Sequence, residues 1–574
     1  AQVSRGLYGT NLHVESDSTT SYGERRFAVD GYAAEPGTLG TREEFRGTGG
    51  SLYFLGRQDL LAGSERVTIE TRDKDTGIVV SSVGLRPVLD YDIDYLQGRV
   101  LLSQPLSSTV DDSLMVRSGG LSGNEAWLVV NYEYTPGFDD LETLSAGGQG
   151  HVWLNDAVRL GVTASSDDED DTTNSNLQAA DLTLRMSTET WVKLQGGRSE
   201  GLVADTQRSV DGGFEFVGTD PAVLDDADAD AYRADVSLGL GDFFDWGQGR
   251  MNLYVQELGA GYSAPGQTTY TDLTQYGGGL SLPLMGQAFV GAKADISDQD
   301  GGLKTTTGEV NFGYDVTDRI TVNSGVRHDD REDRSLLVPV TQEEGQRTDA
   351  VVQVDYDSRG NWRTYGFVQD TLSKDEGRDD NGRYGAGMSY RVGERLTVDS
   401  EVSDGDLGSA GRLGTNYLFS DATSLYLNYA LENERTDNGL RNQRGNLVAG
   451  ARTRLSDSTS VFHEERYEHA DTTTGLTHAT GVSLVPNDRW NFGINSDIGT
   501  LEDRETGSEI KRRAGGLRIG YGFRSMQLSS AVEYRYDDTE ALDGTWADRT
   551  TWLFRNSFKY QLGPDWRLVG KFDH

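Results

Sequence analysis

The sequence predicts an all-β fold: a transmembrane antiparallel β-barrel of about 24–26 strands with a small N-terminal β-domain. Three observations carry this. From about residue 125 onward, apolar and polar residues alternate with period two, and helical periodicity is nearly absent. Short turns recur at near-regular intervals and alternate with longer, acidic connections. Aromatic residues gather near the predicted strand ends, at Trp153, Trp191, Trp362, Trp490, Trp552 with Phe554, and Trp566, where a membrane barrel carries its interface girdles.

Composition narrows the classes further. The 574 residues hold 53 Lys+Arg against 92 Asp+Glu, a net charge of −39, with 72 Gly, 10 Pro and no Cys. Without Cys there is neither a disulfide framework nor a Cys-ligated metal site. No apolar run of about 18 residues occurs, which excludes a helical membrane protein. So acidic a surface is a poor match for nucleic acid.

Residues 1–124 read as a β-domain that plugs the barrel or hangs beneath it. Its strands are expected at 51–56, 65–72, 77–82, 90–95 and 98–103. Asp73-x-Asp-x-Gly77 matches the opening of an EF-hand loop, but the closing Glu and the flanking helices are missing, so it reads as a hairpin turn. Three stretches carry a resemblance: Gly63-Ser-Glu-Arg-Val-Thr-Ile-Glu, Asp73-Lys-Asp-Thr-Gly-Ile-Val-Val, and Leu89-Asp-Tyr-Asp-Ile-Asp-Tyr-Leu-Gln-Gly-Arg-Val. Together they resemble a β-module of large, mostly uncharacterised proteobacterial outer-membrane and cell-surface proteins. A looser version of the Asp-Tyr-x-Ile-Asp-Tyr-x-x-Gly-Arg segment occurs in the barrel translocon of the type 9 secretion system. The resemblance covers about residues 25–200; it implies the outer membrane and no particular substrate.

Residues 125–574 read as the barrel. Ala126, Leu128, Val130, Tyr132 and Tyr134 are expected to carry the chain outward in the first spanning strand. Further on, Ile320, Val322, Ser324 and Val326 alternate with Thr321, Asn323, Gly325 and Arg327, and Leu396, Val398 and Val402 with Thr397, Asp399 and Glu401. A soluble β-sandwich or propeller alternates too, but needs bulky inner residues throughout. Here the second face is rich in Gly, Ser, Asn, Arg and Glu, as a wet lumen requires. Short turns near 155, 187, 243, 285, 318, 359, 394, 422, 457, 487, 524 and 564 recur about every 37 residues, the length of a spanning hairpin with one short and one longer connection. Residues 200–230 read as one long outer loop. The last predicted strand, 566–572, runs outward, so either a closing strand is missing or another segment seals the seam. Closure matters because an open edge in lipid leaves backbone groups unpaired.

The predicted lumen wall includes Asp399, Glu401, Arg518, Arg524, Glu533, Arg535, Arg555 and Lys559. Mixed signs suit water and polar solutes, or a packed protein domain, rather than a strongly anion-selective pore. Of the acidic outer loops, Asp225, Asp226, Asp228 and Asp230 are the best Ca2+ candidates, and cations there also bridge lipopolysaccharide. No other cofactor is expected. His463 and His469 are too far apart along a strand to share a metal. Gly197-Arg-Ser-Glu-Gly201 matches a nucleophile elbow without the helix that motif needs, and no catalytic site is expected. The expected function is an outer-membrane conduit for polar solute or exported polymer in a Gram-negative bacterium, gated by its N-terminal domain. The alternative is a surface scaffold or adhesion anchor whose filled barrel presents its outer loops to a protein partner.

Overall fold

The computed structural model describes the chain except residues 1–8, 35–38, 58–59, 62, 96, 111–114, 118–120, 122, 135–142, 170–173, 202–205, 214–215, 219–227, 245–247, 265–266, 285, 336–343, 436–440, 471–472, 488, 504–506, 524, 541–544, 562–566 and 574. Its main sheet is a barrel wall of 26 strands. The first two are Gly9–Glu15 and Phe27–Ala34, and the third is Thr143–Trp153. From there each wall strand pairs antiparallel with the next, to Arg567–Asp573. Among the described residues the two end strands are not paired with each other.

The expected turns near 155, 187, 243, 318, 359, 394, 422, 457 and 487 fall at or between the facing ends of consecutive paired strands; positions 285, 524 and 564 lie outside the described residues. The two strands beyond those hairpins come from residues 9–34. Their connection joins the short-turn rim, where Arg26 meets Asp156 at 3.1 Å and Arg185 meets Glu24 at 2.8 Å. Several acidic runs expected in loops instead extend the strands towards the other rim, as in Ile320–Asp333.

Burial in the wall is inverted relative to a water-soluble sheet. Val310, Phe312 and Val326 are exposed, while Glu309, Asn311 and Arg327 on the same strands are buried. Val352, Val368 and Val402 against Asp349, Gln369 and Glu401 repeat the scheme. An apolar outer belt with a polar inner face matches hydrocarbon outside and polar contacts inside.

A second sheet lies inside the wall. Its order is Val79–Gly84, Arg66–Arg72, Asn124–Tyr134 and Leu39–Arg46, and Thr206–Ser209 is added in parallel to the last of these. Leu52–Phe54, Arg99–Leu102 and Tyr91–Asp94 form a smaller sheet beside it. Phe45, Tyr53, Leu60, Tyr91, Val100 and Leu128 are among its buried core. The wall bends round this domain: Gln275 on the ninth wall strand bonds the Thr76 carbonyl, and Arg555 on the twenty-fifth bonds the Leu60 carbonyl, each at 3.0 Å.

These placements correct the expected domain boundary at 124/125 in three ways. Residues 9–34 are wall. Asn124–Tyr134, expected to span the membrane, is the central inner strand; both of its faces are largely buried, including Trp127, Val129 and Val130, because it is apolar on both sides where a wall strand is apolar on one. Within 200–230, expected to be a single outer loop, Thr206–Ser209 joins the inner sheet and Asp228–Gly239 is a wall strand.

Candidate functional site

The candidate site is the lumen, and the inner domain divides it unequally. Along strands from residue 273 onward, wall side chains hold the domain by its irregular segments, whose backbone groups have no ladder partners of their own. Glu464 accepts the Ser51 and Leu52 N–H groups at 2.7 and 3.3 Å. Glu309 accepts those of Met115 and Val116 at 2.7 and 3.0 Å. In the opposite sense, Arg466 donates to the carbonyls of Asp211, at 2.8 Å, and Leu52.

Ion pairs reinforce these contacts. Arg117 meets Glu401 at 3.0 Å and lies over the Phe367 ring. Arg99 meets Asp497 at 3.0 Å, and Asn495 donates to Asp94 at 2.8 Å. The Asp73–Gly77 turn serves two purposes. One Asp73 carboxylate oxygen accepts from the Asp75 and Thr76 N–H groups, closing the turn as an Asx motif, and the other meets Lys293. Asp75 is gripped by Arg327 at 2.8 Å. Burial opposes the Asp75 charge, but Arg327, Lys74 and Lys293 overcome this and hold its carboxyl well below the usual range.

The other arc, residues 9–34 and 143–258, is different. Lumen-facing Gln149, Arg159, Thr163, Lys193, Arg233 and Asn252 are all at least partly exposed. The His13 and Asp30 side chains are 55% and 47% exposed. Arg159 pairs with Asp181 at 2.7 Å and Arg233 with Asp235 at 2.8 Å. Towards the far rim Tyr262 and Ala264 cover Leu177, Ala231 and Leu258 in a small apolar cluster, so water reaches this half of the lumen in its middle and towards the short turns. The space left there is a crescent lined by paired charges and small polar groups.

Of the predicted wall residues, Glu401 and Glu533 are buried, and Glu533 lies across Gly516 from Asn495 in the ladder. Arg518 lines a cavity between the 92–101 segment and the wall. Arg535 shares Asp537 with Arg512, at 2.6 and 3.1 Å. Arg555 holds Leu60 as described; Lys559, on the same strand, pairs its backbone with Gln527, and its side chain lies outside the described residues. Asp399 is exposed on the Glu401 face, and Arg524 lies outside the described residues. So do Asp225 and Asp226. Asp228 pairs with Arg198, and the Asp230 carbonyl accepts from the Gly259 N–H at 3.0 Å. Among the described residues no group of three or more acidic or His side chains is arranged to hold a metal ion.

Sequence reasoning missed the anchors Glu309, Arg327, Glu464 and Arg466. Each sits on the polar face of an alternating strand and looks there like any other wet-lumen charge. Glu401 and Arg555, expected on the lumen wall, do hold the domain, and Arg99 lies inside the Asp/Tyr segment singled out in the sequence.

No protein-family model matches the chain, and neither does any curated protein. Among solved structures, the chain is similar to a chain of "Structure of the FpvAI-pyocin S2 complex", with TM-score 0.36 and 10% identity over 92% of this chain and 84% of that one. It is also similar to the FrpB iron transporter from Neisseria meningitidis, with TM-score 0.33 and 9% identity over 73% and 72%. A bacterial polysaccharide outer membrane secretin gives TM-score 0.20 and 13% identity over 51% of this chain and 91% of that one.

Proposed function

We propose that this protein is an outer-membrane conduit for polar solute or exported polymer, in which the inner domain is a plug that narrows the lumen to the crescent along residues 9–34 and 143–258. The observation that carries this reading is the unequal wetting of the two lumen halves. A domain clamped on one arc leaves the opposite arc as the way through. The apolar outer belt, the short turns at one rim and the resemblance of the 63–106 module to outer-membrane proteins support the compartment. Acidic strand extensions at the far rim suit contact with lipopolysaccharide through divalent cations. Among the described residues nothing resembles a catalytic constellation, and no reaction is assigned.

Bilayer conductance tests this directly. The intact chain is expected to pass small steps, and a variant with residues 36–138 replaced by a short Gly/Ser linker much larger ones. Absence of current through both, when both are folded and heat-modifiable, would overturn the conduit. That result would favour the second reading, a surface scaffold whose barrel is a mount. The density of contacts clamping the domain to residues 273–555 speaks for it.

A further inference from the structure

We propose that the Val79–Gly84 strand, with the turn that follows it, is a docking edge for an extended, uncharged polypeptide segment, which adds to the inner sheet as its next strand. The proposal concerns a partner and does not depend on what the lumen conducts.

Val79–Gly84 pairs with Arg66–Arg72 on one side. All six of its residues are exposed, and among the described residues no strand pairs with its other side. Its backbone donors and acceptors there lack ladder partners. Natural edges of this kind are guarded by Lys, Pro, a covering loop or an inward charge. This edge reads Val-Val-Ser-Ser-Val-Gly, with none of those side chains. Val80, the extra residue where the pairing with Arg66–Arg72 shifts register, and Val83 are 56% and 55% exposed. Beyond that one irregularity the edge is bare, uncharged and apolar, and is complementary to another strand of the same character.

The turn beyond it adds an independent observation. Val88 has φ +72°, a conformation a β-branched residue rarely adopts, and its side chain is 85% exposed with Leu89 beside it at 62%. The conformation closes a turn in which the Val88 N–H donates to the Tyr91 carbonyl at 2.7 Å and the Asp90 N–H to the Arg86 carbonyl at 2.9 Å, and that turn holds two apolar side chains out in water; residues in such conformations gather at ligand clamps.

Geometry restricts the occupant. The Leu89 carbonyl accepts from the Ser103 hydroxyl at 2.8 Å, and Ser103, Gln104 and Pro105 line a cavity with Leu418 and Ser424, which flank a short turn of the wall. The edge therefore reaches the short-turn mouth at its Leu89 end. Its other end is fixed to the wall by Asp73 and Asp75. A strand edge bonds its partner through main-chain N–H and C=O groups, which a single extended segment entering by that mouth presents and a folded domain has already paired. It would continue the ladder already formed by Asn124–Tyr134, Arg66–Arg72 and Val79–Gly84.

The absence of native Cys makes the test clean. Full-length chain carrying Ser82→Cys, or Asp457→Cys on an exposed short turn as control, is mixed with a synthetic ten-residue peptide of alternating Val and Thr. The peptide bears a Lys at each end and one central Cys activated as its mixed disulfide with 2-thiopyridine, so that attack by the protein thiolate forms the new disulfide and releases thiopyridone, and capture is timed by that release. Capture at position 82 is expected to be at least tenfold faster than at 457, and to fall to the control rate with Val80→Lys plus Val83→Lys. Amide exchange across 79–84 should be fast in the free chain and slowed by a Cys-free version of the peptide. Equal capture at both positions, or slow exchange in the free chain, overturns the proposal. Conductance of the same preparations separates the two readings: lost capture with intact current sinks only the docking edge.

Discussion

Glu43 and Glu44 stand back to back on one inner strand, both fully buried, in opposite electrostatic surroundings. Glu43 faces the apolar core, where the Tyr132 hydroxyl donates to it at 2.6 Å and the Gly56 N–H at 3.0 Å. Burial outweighs those bonds and pushes its carboxyl up to about 7. Glu44 faces the other way into Arg42, Arg72 and Arg208, at 2.9, 2.7 and 3.0 Å. Burial opposes its charge too, but the arginines prevail and hold it at about 2.

The pair sets opposite pH dependences. Glu43 favours the protonated form when folded, so its contribution is complete below about pH 4.5 and declines as pH rises to about 7, by roughly 3 kcal/mol. Glu44 contributes fully above about pH 4.5 and loses a similar amount as pH falls towards 2. Glu43→Gln is expected to flatten the loss between pH 4.5 and 7 and leave the acid limb unchanged. Denaturant-induced exposure of the inner domain to protease, followed against pH, measures both limbs; an unchanged upper limb in Glu43→Gln would contradict the assignment.

Breaking one wall anchor takes the nearest partner from a buried charge. Arg327→Ala leaves Asp75 to the more distant Lys293, at 3.8 Å, and Arg99→Ala removes the 3.0 Å partner of Asp497; the second is expected to cost the docked domain about 3–5 kcal/mol and the first somewhat less. Thermal release of the domain should fall accordingly, with larger current steps in bilayers. Replacing Arg327 and Asp75 together by Leu should cost less than Arg327→Ala alone, and a greater cost would argue against a buried pair.

The two wall faces should respond differently to a new charge. Val352→Arg, on the outer belt, is expected to destabilise the barrel by about 2–4 kcal/mol if near the bilayer midplane. Thr163→Arg, in the crescent, should leave folding nearly unchanged and shift ion selectivity towards anions. Equal effects on urea unfolding in lipid would refute the inside-out assignment.

Gly213 tests whether the inserted 206–213 segment is needed for docking. It has φ +105°, and a Cβ there would lie 1.8 Å from the Phe54 carbonyl oxygen. Gly213→Ala is expected to lift the segment off the Leu52–Phe54 strand and weaken the Arg466 contact, read as faster proteolysis within 206–213. Wild-type protease resistance would count against it.

Much of the wall was legible because its rule is local. One residue in two meets lipid, so Val310, Phe312 and Tyr314 announce their strand unaided, and short turns such as Val392-Gly-Glu-Arg-Leu396 mark its ends. The inner sheet was partly legible for the same reason: Arg66–Arg72 and Tyr91–Asp94 lie within the expected 65–72 and 90–95. Residues 9–34 escaped because Gly9–Glu15 places Asn, His and Glu opposite only Leu12 and Val14, too short a pattern to register. The placement of Asn124–Tyr134 depended on a fact outside its own alternation, that Arg66–Arg72 and Leu39–Arg46 flank it. The anchors were illegible in kind. Glu464 and Arg466 gain their roles from residues 51, 52 and 211, and no spacing along the chain encodes that meeting.

The interleaving of the two sheets constrains biogenesis. Leu39–Arg46 precedes the third wall strand, yet its parallel neighbour Thr206–Ser209 follows the sixth. Six wall strands, four of them made after Leu39–Arg46, must therefore be synthesised before Thr206–Ser209, and with it Val217–Gly218, joins the interior sheet, and these strands must reach their place from the rim opposite the short turns. A finished cylinder would admit them only through a narrow opening already occupied by the rest of the domain. Interior and exterior are thus expected to mature together, with the hairpins laid down around a half-built centre. A folding factor that delivers this chain to the membrane has to leave the growing sheet open on one side until residues 206–213 have been threaded home.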